Sequence, residues 1–150
     1  MERRKFLTGA AVAGAATSLA APSVAQGKIE MAIVATWPRD FPGLGLPAQR
    51  MAARIQELTE GEIQVTYFAA GEKVGAFDSF DEVASGNSQA YIGADYYWKG
   101  KHPGWAPFTA IPFGLTAGEM DAWTKYAGGQ ELWDELAGEF GLKNFAMGNT

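Results

Sequence analysis

Three consecutive aromatic residues, Tyr96, Tyr97 and Trp98, follow a short apolar run and are the residues best suited to contact a ligand. If one side chain of such a run faces the core, its neighbour usually cannot, so we expect at least one to be exposed or to line a cleft. Trp37 and Asn149 follow two other apolar runs. Aromatic walls shield a small polar ligand from water, while phenol and amide groups hydrogen-bond it. These five residues are the candidate binding residues.

Some of these residues also fit a purely structural role. Trp37 precedes a proline and fits a plug at the edge of the core as well as it fits a binding site. Asn149 fits a turn residue at the end of a strand. Lys99 and Lys101, which follow the aromatic run, are more typical of solvated loop charges than of ligand contacts.

Catalytic patterns are weak in this sequence. It contains no cysteine and one histidine, His102, which stands in a Lys-Gly-Lys-His-Pro-Gly loop and is expected to be exposed. One histidine supports neither a zinc site nor a catalytic triad. The glycines between Gly71 and Gly75 lack the spacing of a phosphate-binding loop. Asp95 is the carboxylate of most interest, although a cap or turn role is expected for it. We therefore expect no enzyme, and no metal site within the chain.

The periodicity of apolar residues alternates between strand and helix. It predicts strands over residues 29–35, 62–68, 89–94 and 143–147, and helices over residues 47–58, 77–84, 119–126 and 130–140. A strand, a helix and a second strand in close succession favour a parallel crossover. The fold class is therefore α/β, with a mainly parallel sheet flanked by helices, and ligands of such sheets bind beyond the carboxyl ends of the strands.

The N-terminus has the organisation of an export signal. Paired arginines, Arg3 and Arg4, precede an uncharged stretch from Phe6 to Ala21, and small residues follow up to Ala25. This order predicts a twin-arginine signal peptide over residues 1–25, cleaved after about Ala25, and hence a periplasmic protein. The apolar stretch is too short and too weak for a spanning helix. The net charge of −5 argues against nucleic acid and anionic lipid as partners.

The mature part, residues 26–150, resembles the N-terminal portion of the periplasmic binding subunits of tripartite ATP-independent periplasmic (TRAP) transporters. It is most similar to the branch that binds 2-oxo acids, lactate and related monocarboxylates. The segments that carry the resemblance lie at residues 36–38, 41–45, 71–72, 94–101, 111–115 and 148–150.

The resemblance implies a periplasmic-binding-protein-like lobe, one of two that close on a small carboxylate such as pyruvate or lactate, which is passed to the membrane subunits. It implies that Tyr97, or its neighbour Tyr96, contacts the ligand together with Asn149, and that Trp37 and Trp98 form walls. The arginine that pairs with the carboxylate, and the residues that hold a Na or Ca ion beside it, are expected downstream of Thr150. We therefore expect the second lobe to be largely missing from this chain, and a homodimer is left open.

Two other classes of function remain open from the sequence. An exported enzyme is consistent with the twin-arginine signal, but its cofactor motif is not found in these residues. A sensory module that reuses the same α/β lobe would need a downstream signalling domain.

Overall fold

The computed structural model describes residues 27–148 as an α/β structure with three strands and four α-helices in that range. In chain order the elements are β1 (Ile29–Ala35), α1 (Gly45–Leu58), β2 (Ile63–Phe68), α2 (Ser79–Ala84), β3 (Ala90–Ile92), α3 (Ala117–Tyr126) and α4 (Gly129–Gly138). Short 3-10 helices lie at Ala76–Asp78, Asp95–Trp98 and Pro103–Phe108. The predicted signal peptide and Asn149 lie outside the described residues.

The three strands form one parallel sheet in the order β2-β1-β3, which confirms the predicted fold class. The register pairs Ile29 with Ile63 and Ile33 with Ala90. The central strand β1 is buried over its last three residues because both of its edges are paired and α1 covers it there. Its apolar run therefore lacks the alternation of a half-buried strand.

Helix α1 packs against the sheet through small residues, which allow a close approach. Ala48 and Ala52 are buried beside Ile33 and Ile92. Leu58, in the last turn of the helix, is 66% exposed and is not part of this core. The helix begins at Gly45, two residues before the predicted start, where a side chain would collide with the Pro38 carbonyl oxygen.

The turn after α1 closes the helix with two backbone hydrogen bonds. The Gly61 amide donates to the Gln56 carbonyl, and the Glu60 amide donates to that of Glu57. These are the two bonds of a Schellman motif. Gly61 has φ +81°, and Glu60 before it also adopts a left-handed conformation, with φ +49°.

A second core, made almost entirely of aromatic residues, lies between the sheet and the C-terminal helices. Its buried members are Phe80, Trp98, Trp105, Trp133, Leu136 and Ala137. Phe108 stacks on Trp133 with ring centroids 5.3 Å apart and also on Trp123 of α3. These ring contacts attach α3 and α4 to the segment that follows β3.

The strand predicted over residues 143–147 was wrong, because the described part of this segment has no regular secondary structure. Its backbone is held by a side chain instead of a neighbouring strand: Gln130 of α4 donates to the Asn144 carbonyl at 2.9 Å. The buried residue of the segment is the polar Asn144, whereas Phe145 is 73% exposed.

None of the helices that the structure describes is both long and apolar enough to cross a lipid bilayer.

Candidate functional site

The crevice expected for ligand binding lies between the carboxyl ends of β1 and β3. The chain runs from β1 through α1 to β2 on one side, and then returns through α2 to β3 on the other side. Such a reversal of strand order opens a crevice outside the carboxyl ends of the two strands. Thr36 ties these ends together, because its amide and its hydroxyl both donate to the Ile92 carbonyl, at 3.0 and 3.3 Å.

Gly93 allows the segments around the crevice to pack closely. A β-carbon placed on Gly93 would lie 2.6 Å from Cη2 of Trp98 and 3.0 Å from Cγ2 of Thr36. Both distances are shorter than ordinary carbon–carbon contacts. The absence of a side chain at Gly93 therefore sets how near the aromatic run lies to the end of β1.

Tyr96 and Tyr97 lie on the 3-10 helix Asp95–Trp98, which begins directly beyond β3. Tyr96 is 39% exposed and Tyr97 is half-buried, which confirms that the aromatic run cannot be wholly internal. Their rings meet edge to face at 4.7 Å, and Tyr97 also contacts Phe77 edge to face at 5.2 Å. Interaction with the Tyr97 hydroxyl raises the pKa of Tyr96. The Tyr96 phenol is therefore a neutral hydrogen-bonding group near neutral pH.

Trp98, the third residue of the run, belongs to the aromatic core. It is 3% exposed, its Nε1 donates to the Phe77 carbonyl at 2.9 Å, and its ring contacts Phe80 and Tyr91. The role predicted for Trp98, as a wall of the ligand site, stays a prediction.

Trp37 is half-buried against the core formed by β1 and α1. Its carbonyl accepts a hydrogen bond from the Ala70 amide at 3.0 Å, which links the segments that follow β1 and β2. These contacts fit the structural plug, and a wall role for Trp37 stays a prediction. The same holds for ligand contact by Asn149, which is outside the described residues.

An ion pair at the ends of β1 and β2 was missed in the sequence. The Arg39 guanidinium donates through Nε to Glu72 Oε1 at 2.7 Å and through Nη2 to Oε2 at 2.5 Å. The hydrogen bonds from Arg39 and from the Ala69 amide lower the pKa of Glu72 to about 2. The signal was present, since the predicted parallel pairing of β1 and β2 brings Arg39 and Glu72 to one edge of the sheet. This arginine is already engaged by a carboxylate of the chain itself.

Asp95 is the centre of a buried polar cluster that the sequence did not predict. It is 5% exposed and accepts a hydrogen bond from Trp133 Nε1 at 2.6 Å. Asn144 Nδ2 lies 3.4 and 3.3 Å from its two carboxylate oxygens and 3.3 Å from the Tyr91 hydroxyl. The expected cap or turn role of Asp95 was wrong, because its side chain bonds to α4 and to residue 144 rather than to its own turn. We call Asp95, Tyr91, Trp133 and Asn144 the Asp95 cluster.

Burial governs the ionisation of the Asp95 cluster. It raises the pKa of Asp95 to about 6, an effect that the hydrogen bonds from Trp133 and Asn144 reduce. Burial is also the main cause that raises the pKa of Tyr91. The carboxylate of Asp95 is therefore held by neutral donors in surroundings that disfavour its charge.

The described residues offer little to a metal ion or to catalysis. Among residues 27–148, no three histidine, aspartate or glutamate side chains come together as a metal-binding group. The buried Asp95 oxygens accept from two N–H donors, which a cation would have to replace. His102 is exposed, as predicted, and its Nδ1 accepts from the Gly104 amide.

An open apolar groove of about 440 Å³ lies away from the strand ends. It is lined by residues between Pro107 and Trp123, and Phe113 at its margin is fully exposed, with φ +60°. Its walls carry few polar groups, whereas a small carboxylate needs several hydrogen-bond donors. We therefore assign the candidate site to the crevice between β1 and β3 and not to this groove.

Solved structures similar to this chain carry the same fold. A TRAP periplasmic solute-binding protein of Pseudoalteromonas atlantica, solved with sodium and pyruvate, is 36% identical with a TM-score of 0.74. A TRAP periplasmic solute-binding protein of Colwellia psychrerythraea, solved with calcium and pyruvate, is 34% identical, also with a TM-score of 0.74. Each similarity covers 77% of this chain and 35% of the solved chain.

Sequence comparison gives the same result. A monocarboxylate 2-oxoacid-binding periplasmic protein of Nostoc sp. is 34% identical over 158 aligned residues, which span the whole of this chain and 43% of the relative. The model of the bacterial extracellular solute-binding proteins, family 7 (DctP), matches residues 33–150. These similarities confirm the resemblance to TRAP binding subunits that the aromatic run and the Trp-Pro segment indicated. The chain therefore belongs to family 7 of the bacterial extracellular solute-binding proteins.

Proposed function

We propose that this chain is the N-terminal portion of a periplasmic solute-binding protein that captures a small carboxylate, either a 2-oxo acid such as pyruvate or the 2-hydroxy acid lactate, for uptake by the membrane subunits of a TRAP transporter. The observation that carries the proposal is the similarity, at 34–36% identity, to two TRAP solute-binding proteins solved with pyruvate. Solute binding is the function that the family description gives.

The crevice between β1 and β3 supplies neutral hydrogen-bond donors to such a ligand. The Tyr96 and Tyr97 hydroxyls donate to carboxylate oxygens, and the ring faces of Trp37 and Trp98 limit the access of water. Asn149, which lies outside the described residues, is kept in the proposed contact set as an amide donor, as the resemblance implies. Arg39 is not part of the contact set, because Glu72 already accepts from it in bidentate fashion.

A cation beside the ligand completes the proposal. One similar protein was solved with sodium and the other with calcium, in each case together with pyruvate. The resemblance to TRAP binding subunits implies that the ligands of this cation, and the arginine that pairs with the carboxylate, lie downstream of Thr150.

The direct test is a thermal-shift screen of the full-length mature protein. Pyruvate, lactate, longer 2-oxo acids and dicarboxylates are added with and without sodium or calcium. A ligand at 100 times its Kd raises the free energy of unfolding by about 2.7 kcal/mol, which moves the midpoint by several degrees. If none of these carboxylates moves the midpoint, the proposed function is wrong.

The export proposal is separate from ligand binding. Residues 1–25 act as a twin-arginine signal that is removed after about Ala25. Mass spectrometry of the protein recovered from the periplasm tests this, and a mature chain that retains Arg3 and Arg4 would contradict it. Whether the protein forms a homodimer is a separate question, which light scattering of the same preparation answers.

A further inference from the structure

The Asp95 cluster joins segments that are far apart in the sequence. The bond from Trp133 Nε1 to Asp95 spans 38 residues, and the contacts from Asn144 Nδ2 to Asp95 span 49. Through them the residue that precedes Tyr96 is attached both to α4 and to the segment that follows it.

We propose that Asp95, held by Trp133 and Asn144, is a positioning residue that fixes the Tyr96–Tyr97 pair at the rim of the crevice. The proposal rests on the proposed function, because it gives these two tyrosines a ligand to meet. It assigns no ligand contact to Asp95 itself, which is 5% exposed and turned towards the interior.

The backbone of the 3-10 helix shows why the anchor acts on the tyrosines. Asp95 and Tyr96 share a peptide unit, so the side chain of Asp95 holds the first residue of the turn. On the other side the Tyr96 amide donates to Thr109 Oγ1 at 3.2 Å, and the Tyr97 amide donates to the Ala94 carbonyl at 3.0 Å. The turn is thus held at two points, the Asp95 cluster and Thr109, while Tyr96 itself is exposed.

The alternative is that the cluster only satisfies buried polar groups and holds residues 143–148 in place. The two roles differ in which backbone amides the cluster stabilises. A local role stabilises only the segment around residue 144, whereas a positioning role also stabilises the amides of Tyr96, Tyr97 and Lys99. These amides all bond within or beside the turn.

Two variants weaken the anchor in different ways. Asn144→Ala removes the donors from the segment after α4. Trp133→Phe removes the indole N–H but keeps an aromatic ring where Trp133 now stacks on Phe108. Lys143→Ala is the matched control. Lys143 directly precedes Asn144, and the substitution removes its ion pair with Asp134 but no contact of Asp95.

Hydrogen exchange followed by mass spectrometry on the full mature protein measures the turn without any ligand. For both anchor variants we expect exchange over residues 96–99 to rise about fivefold or more, and for Lys143→Ala to stay within about twofold of the wild type. Exchange that rises only over residues 143–148, or that rises equally in the control, would overturn the positioning role.

Pyruvate titration of the same proteins gives the second measurement. We expect Asn144→Ala to weaken binding about threefold or more at a temperature where it is fully folded, with the control unchanged. Unchanged affinity together with unchanged exchange over residues 96–99 refutes the proposal. If the wild type binds none of the screened carboxylates, the proposed function fails, and the exchange measurement still decides whether Asp95 positions the turn.

Discussion

The Asp95 side chain is almost completely buried, and none of its contacts among the described residues carries a positive charge. Tyr91 of β3 is the titratable side chain that faces it, while Trp133 of α4 and Asn144 are neutral donors. Burial raises its pKa in the folded protein from 3.8 to about 6. The protonated form is therefore the one that folding favours.

This shift predicts an unusual pH dependence. A raised folded-state pKa contributes stability that is complete below about pH 4 and is lost as the pH rises through about 6. Replacing Asp95 with Asn removes that dependence. We expect the Asp95→Asn protein to gain up to about 3 kcal/mol of unfolding free energy, relative to the wild type, between pH 4 and pH 7. Urea unfolding at the two pH values measures the difference.

The control for this measurement is Asp121→Asn, which changes an exposed carboxylate paired with Lys125 on α3. We expect its difference from the wild type to stay nearly constant over the same range. If Asp95→Asn shows the same constant difference, the pKa of Asp95 is not raised in the folded protein.

Tyr97 gives a residue-scale prediction about the ligand. We expect Tyr97→Phe to weaken the binding of the carboxylate identified in the thermal-shift screen by about 1 kcal/mol or more, because a phenol donor is lost. Isothermal titration calorimetry measures the change. Tyr126→Phe removes a hydroxyl from a residue that is 86% exposed on α3, and its affinity should equal that of the wild type. Equal affinity of Tyr97→Phe and the wild type would remove Tyr97 from the site.

At the residue scale, a contact could be predicted from the sequence most readily when its two residues lie close together along the chain. Exposure of at least one tyrosine could be predicted from adjacent residues alone. The burial of Trp98 and the bonds of Asp95 could not, because their partners lie on other elements up to 49 residues away. The pair Arg39–Glu72 lies between these cases, since the predicted strand pairing was sufficient to suggest it.

At the scale of elements, local periodicity served best where an element buries one face. Strands β1 and β2 and helix α1 were predicted within two residues of their observed bounds, because their apolar residues recur at the spacing of a buried face. The segment over residues 143–147 also contains apolar residues but bonds to the Gln130 side chain instead of a strand. Sequence periodicity carries no information about the presence of a partner strand.

Helix α3 shows a boundary signal that periodicity missed. The predicted start was Glu119, but the helix begins at Ala117 because Thr116 caps it: the Thr116 amide and hydroxyl both donate to Glu119 Oε2, and Thr116 Oγ1 accepts from the Glu119 amide. We expect Thr116→Ala to lower the free energy of unfolding by about 1 kcal/mol. Chemical denaturation measures it.

The comparison variant for this cap is Gly118→Ala. Its added methyl group meets no atom within 4 Å and raises helix propensity. We expect a gain of about 0.5 kcal/mol, opposite in sign to the cap variant. If Thr116→Ala is as stable as the wild type, the cap does not stabilise α3.

Gly93 links β3 to the aromatic run, and its variant tests the close packing of the crevice. Gly93→Ala would force the Trp98 ring away from Thr36, so we expect a loss of about 1–3 kcal/mol of stability. Urea unfolding monitored by tryptophan fluorescence reports both the free energy of unfolding and a change in the surroundings of the Trp98 ring. Gly100→Ala, where the added methyl group meets open space, should be nearly neutral. Equal stability of the two variants would show that the crevice is looser than the structure indicates.

At the scale of the whole molecule, the chain has two cores with different chemistry. An aliphatic core lies between the sheet and α1, and an aromatic core joins β3 to α4. The fold class and the family could both be recognised from the sequence. The division of the candidate residues between the two cores could not, because it depends on how the segments around β3 and α4 pack together.

The parallel sheet has a consequence for the time that folding takes. Its cross-strand contacts join residues that are far apart in the chain: the Ala32 amide bonds to the Gln89 side chain over 57 residues, and Thr36 to Ile92 over 56. Such contacts form only after long loops close, so we expect refolding from urea to take about milliseconds or longer. Stopped-flow fluorescence of the tryptophans measures this rate, and complete refolding within microseconds would contradict it. Until these long-range contacts form during refolding, the edges of the strands are unpaired.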